Sequence, residues 1–99
     1  MEFFFSDDTL EKLRTKHYVE RHEVIECFDN RTKKALIDDR EEHRTNPPTE
    51  WFISETDAGR RLKVVYIRVS ASATVIRTAY EPSEDEERIY RQRAKGREL

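Results

Sequence analysis

Arg14, Lys16 and His17 stand within four positions of one another, near the end of what reads as the first helix. Arginine and lysine hold phosphate, and histidine titrates near neutral pH and so can move a proton. Together they form a minimal set for phosphodiester chemistry, in which cations stabilise the charge of the transition state. Cations at a helix end also complement the helix dipole, so a purely structural role explains the same pattern. A second feature is a run without acids. Arg60, Arg61, Lys63, Arg68 and Arg77 fall between Ala58 and Tyr80, where no Asp or Glu occurs. Such a run gives a chain of net charge −2 one cationic surface able to concentrate a polyanion. The competing reading pairs these cations with acids of neighbouring elements, among them Glu81, Glu84, Asp85, Glu86 and Glu87.

Other routes to chemistry are thin. Glycine-rich phosphate loops are absent from the sequence. His17, His22 and His43 are scattered. His22 and Glu26 lie one helical turn apart and could share a metal, but no third ligand is evident, so neither metal nor cofactor is expected. Cys27 beside Phe28 reads as a small core residue. As the single cysteine it cannot form an internal disulfide, which suits a reducing cytoplasm. Asp38 and Asp39 adjoin a charged segment and read as solvated surface.

The elements that must position these residues fit one domain spanning 1–99, given a length of 99 residues. Charged residues make up 40% and hydrophobic ones 35%, yet the apolar residues cluster, so an ordered fold is expected. Apolar runs are too short for a transmembrane helix, and the N-terminus lacks the features of a signal peptide. Phe3 to Phe5 reads as a short edge strand. Ser6-Asp7-Asp8-Thr9 is a helix start, and the helix runs to about His17. A second helix spans roughly Glu20 to Phe28, with Val24, Ile25 and Phe28 as its apolar stripe. Ala35 to Ile37 is a short strand. Asp38 to Pro48 is a polar loop. Strands follow from Trp51 to about Thr56, from Leu62 to Val69 and from Thr74 to Ala79, with a turn at Asp57-Ala58-Gly59-Arg60. Ser83 caps a last helix reaching about Lys95. The expected class is α+β: an antiparallel sheet of about four strands, two N-terminal helices and one C-terminal helix, with the helices against one face. In the hairpin, Tyr66 is expected opposite Arg77, and Arg68 opposite Val75. Val65, Ile67, Val69, Ile76 and Thr78 would then pack under the helices, leaving Leu62, Val64, Tyr66, Arg68 and Arg77 on the other side.

The stretch Lys12-Leu13-Arg14-Thr15-Lys16-His17-Tyr18-Val19, followed by Glu23-Val24-Ile25-Glu26-Cys27-Phe28-Asp29, resembles the BrnT toxins of bacterial type II toxin–antitoxin pairs. That family is related to the RelE and ParE toxins. It has a Lys-His-Gly-Val segment, a helix ending in a Val-Phe-Asp-like sequence, a basic strand, a hairpin, a Ser-Ala-Arg segment and a terminal helix with a Glu…Tyr pair. Here Thr78-Ala79-Tyr80 stands at the Ser-Ala-Arg segment, and Glu87 and Tyr90 fit the terminal helix. Tyr18 replaces the glycine and Tyr80 the arginine. The segment from Asn46 to Asp57 also departs from the family pattern, which suggests a divergent branch. Some short proteins of that branch carry an ADP-ribosyl-dinitrogen-reductase hydrolase label, but this chain lacks the carboxylate-rich dimetal site such an activity needs.

The resemblance implies a cytoplasmic, metal-independent endoribonuclease neutralised by a small DNA-binding antitoxin. On that basis His17 would transfer the proton, with Lys16 and Arg14 or Arg77 stabilising the transition state. Arg61, Lys63, Arg68 and Arg77 would hold the RNA backbone, and Tyr66 or Tyr80 would stack on a base. An alternative expectation is a diverged, inactive toxin fold that binds another protein or a second copy of itself.

Overall fold

The computed structural model describes residues 1–38 and 45–96. Asp39, His43 and part of the expected polar loop lie outside the described residues. The chain forms β1 (Glu2–Phe4), α1 (Asp7–Lys16), α2 (Arg21–Asp29), β2 (Leu36–Ile37), β3 (Thr49–Glu55), β4 (Arg61–Arg68), β5 (Ala73–Tyr80) and α3 (Glu84–Arg93). The class is α+β, as expected. The sheet has five strands in the order β1-β5-β4-β3-β2. It is mixed rather than antiparallel, because β1 pairs in parallel with β5, with Phe3 beside Thr74. The two helices between β1 and the other strands carry the chain across a face of the sheet and allow that parallel edge.

Local signals explain the helix boundaries. Ser6 Oγ accepts the Thr9 N–H at 3.0 Å and caps α1. Glu23 Oε1 accepts the Glu20 N–H at 2.9 Å at the start of α2. Ser83 and Glu86 cap α3 reciprocally, at 3.1 and 2.9 Å. Gly59 closes the β3–β4 turn with a φ of 88°, a conformation that suits glycine.

The core forms between α2 and the sheet. Val24, Cys27 and Phe28 are the buried residues of α2, and Cys27 takes the place expected for Ile25. The Phe28 ring lies 4.7 Å from Phe3, 4.8 Å from Phe52 and 5.2 Å from Tyr66, centroid to centroid. Leu13 of α1 and Val19 join the same buried cluster. The terminal helix α3 is on the opposite face: its Tyr90 packs 5.6 Å from Trp51, which alternates with Phe52. The helices therefore do not share one face, because both faces of β3 carry aromatic side chains.

The hairpin corrects the expected faces. Val69 bonds Ala73, so Ser70, Ala71 and Ser72 form an odd-numbered connection. Tyr66 consequently opposes Ile76 and Arg68 opposes Thr74, whereas Val65 opposes Thr78. Arg77 is the extra residue of a bulge between these pairs. Ile76 and Ala79 are both buried although they stand three positions apart. The face against α2 is formed by Leu62, Val64 and Tyr66, each at 0% exposure. Val65, Ile67 and Val69 point the other way.

Burial pushes the Cys27 thiol up to about 12, with the charges of Glu26 and Glu23 adding to the effect. The expected outcome is a thiol inert to a disulfide reagent at pH 8 in the native protein and fully reactive in strong denaturant. Rapid native labelling would contradict this packing.

Candidate functional site

The turn from α1 into α2 brings the sequence-selected residues together. Lys16 ends α1, and His17 caps it, with its N–H bonded to the Leu13 carbonyl at 3.2 Å. The Val19 N–H returns to that same carbonyl at 2.9 Å. Closing this turn places Tyr18 at a φ of 55°. A left-handed conformation costs a non-glycine residue about 1 kcal/mol, and glycine is usual just past a helix end. Tyr18 is nonetheless 78% exposed.

Arg60 holds the turn from across the molecule. Its Nη1 donates to the Tyr18 carbonyl at 2.6 Å and its Nη2 to the His17 carbonyl at 2.9 Å. The same guanidinium lies 3.2 Å from Glu81 and 3.6 Å from Glu23. Lys16, His17, Tyr18, Arg60, Tyr80 and Glu81 line one shallow surface cleft. The His17 and Tyr80 rings are 5.5 Å apart and tilted by 36°. Thus Lys16, His17 and Tyr80 converge, and Arg60 and Tyr18 join them.

The other expected site residues have different surroundings. Arg61 forms a double contact to Glu87, at 2.6 and 2.8 Å, and a third to Glu55 at 3.3 Å. Lys63 pairs with Glu86 at 2.6 Å and lies over Trp51 at 4.5 Å and Tyr80 at 5.6 Å. These cations are occupied by carboxylates, as in the competing reading of the acid-free run. Tyr66 is a core residue and cannot stack on a base; its hydroxyl donates to Glu50 at 2.9 Å. Burial, then the Glu50 charge, raises that phenol to about 12. Arg68 is five residues from Lys63 along β4, about 17 Å for a strand, and so far from the cleft. Its Nε is buried with no hydrogen-bond partner among the described residues. Arg14 and Arg77 are exposed and make no ion pair among the described residues. His22 is exposed, and Glu26 Oε1 accepts the Asp57 N–H at 2.9 Å, which ties α2 to the β3–β4 turn.

Behind the cleft lies a triad missed by the sequence reading. Tyr80 donates to Glu86 Oε2 at 2.8 Å, the same oxygen that meets Lys63. Burial drives Glu86 upward, but bonds from Lys63, the Ser83 N–H and Tyr80 outweigh it and bring the carboxyl down to about 2. Tyr80 is raised by burial and by its bond to Glu86, so its phenol stays protonated and its ring is fixed. The signal in the sequence was double: Glu86 is both a capping residue and an acid near the cationic strand.

A larger hollow, about 690 Å³, lies elsewhere and is walled by Asn30, Ser54, Asp57, Glu55, Arg61, Glu87 and Tyr90 among others. Its Arg61 is tied to Glu87 and Glu55. The small cleft is where Lys16, His17 and Tyr80 meet. No protein-family model matches the chain, and no curated protein matches it.

Glu86→Gln tests the triad. A depressed native pKa contributes stability above the unfolded carboxyl value, near 4.3, that disappears as pH falls toward about 2. The variant should lose on the order of 1.5–3 kcal/mol at pH 7, the range for a bond to a charged group. Its stability should then vary less than that of the parent between pH 4.5 and 2 in denaturant titrations; unchanged pH dependence would rule out the triad as a stabilising unit.

Proposed function

We propose that the chain is a toxin-type RNA-cleaving protein that acts in the cytoplasm and is restrained by a small DNA-binding antitoxin. The observation that carries this reading is the convergence of Lys16, His17 and Tyr80 on one cleft. The order of strand, two helices, further strands and a last helix is also what the BrnT resemblance implies. The broad cationic sheet is not needed for it. Of the cations singled out in the sequence, Lys16 lines the cleft, Arg14 and Arg77 are exposed without an ion pair among the described residues, and Tyr80 supplies a fixed ring.

In the proposed reaction His17 accepts the proton of a ribose 2′-hydroxyl. The 2′-oxygen bonds to the adjacent phosphorus, and the P–O5′ bond breaks. The departing 5′-oxygen takes a proton from water. The products are a 2′,3′-cyclic phosphate and a 5′-hydroxyl, and Lys16 with Arg14 or Arg77 stabilises the charge of the transition state.

A second reading, an inactive fold that binds protein, is favoured by the carboxylate partners of Arg60, Arg61 and Lys63 and by exposed Met1, Phe4, Ile37 and Val69. RNA cleavage in the presence of a chelator separates the two. His17→Ala should slow cleavage at least 100-fold, the contribution of a positioned acid–base group, with the circular dichroism spectrum unchanged. Intact RNA at high concentrations of folded parent protein would favour the inactive reading. Three phosphate contacts on a single strand predict a log–log salt slope of about −2 for RNA affinity.

A further inference from the structure

The strained turn presents an aromatic side chain without using it for packing. We infer that Tyr18 is a stacking platform for a nucleobase of single-stranded RNA bound at the cleft; the inference rests on the RNA reading above and adds the residue that grips the base. The Tyr18 ring is 78% exposed, and neither ring nor hydroxyl meets a partner among the described residues. Its backbone, in contrast, is held on both sides. Arg60 bonds its carbonyl at 2.6 Å, and the next residue, Val19, is 1% exposed. A rigid stem bearing a free ring loses little entropy when a base stacks on it.

The neighbours indicate which partner fits. Lys16 and His17 precede Tyr18 and share its cleft with Tyr80, so an imidazole, a phenol ring held by Glu86 and a cation stand beside the exposed ring. Single-stranded RNA is held by that combination, with bases on rings and phosphates on cations. An apolar protein patch would instead need hydrophobic residues around the tyrosine. Lys16, Glu20 and Arg21 around the turn are exposed and charged.

Fluorescence anisotropy with a labelled 2′-O-methyl RNA octamer tests this, since the blocked 2′-oxygen prevents cleavage. Tyr18→Gly should bind about ten-fold more weakly, the typical loss of one stacked base. It should also melt about 4 °C higher, because glycine suits the left-handed turn. Tyr18→Asn, which tolerates the same backbone, should lose affinity equally, and Tyr18→Trp should retain it. An octamer abasic throughout should bind the parent and Tyr18→Gly alike. Equal octamer affinity in parent, Tyr18→Gly and Tyr18→Asn, with Lys16→Ala still weakened, would overturn the role of Tyr18 alone and leave a protein contact as its use. No octamer binding by the parent at low salt would overturn both this inference and the RNA reading.

Discussion

The bulge at Arg77 is the constraint on which the rest of the structure depends. One extra residue in β5 lets Ile76 and Ala79 face the same core, where strict alternation would send one of them to the opposite side. It reconciles an odd hairpin connection with the register needed at the far end of the strands. It also returns Tyr80 to the side of Lys63, opposite which it is paired. Without that correction Tyr80 would not meet Glu86 at the start of α3.

Charge neutralisation then decides what the cations of the acid-free run do. Lys63 is 11% exposed in its side chain and Glu86 22%, so each requires a partner. Arg61 and Arg60 are more exposed but reach carboxylates from α3 and the end of β5. A row of cations in the chain thereby becomes a set of ties between the sheet and its helices. Of the cations singled out in the sequence, Arg14, Lys16 and Arg77 stay exposed with no ion pair among the described residues.

The same ties make the strained turn possible. Arg60 bonds two successive carbonyls at the end of α1, which would otherwise lack partners at a helix terminus. Buried Val19 anchors the turn from below. Two long-range contacts thus hold Tyr18 in a conformation that its own side chain disfavours. Strain supported in this way concentrates where a molecule contacts something else.

Much of the local structure was legible in the residues. Ser6 and Ser83 cap helices through bonds spanning three positions, and Gly59 turns the chain within its own loop. Cys27 beside Phe28 is a core residue, as its type suggested, and takes the place that helical spacing had given to Ile25. Lys16 and His17 were recognisable because they are neighbours in the chain. Tyr18 was visible only as a departure from a glycine, its conformation being unknown. The parallel edge of β1, the side taken by α3, the burial of Tyr66 and the partners of Arg61 and Lys63 were settled by the tertiary structure. Each depends on groups from separate elements, and a single bulge reverses the side on which a strand's residues fall. Interactions within one turn of chain are encoded by adjacent side chains, whereas register and ion pairing are chosen by the packing of the whole.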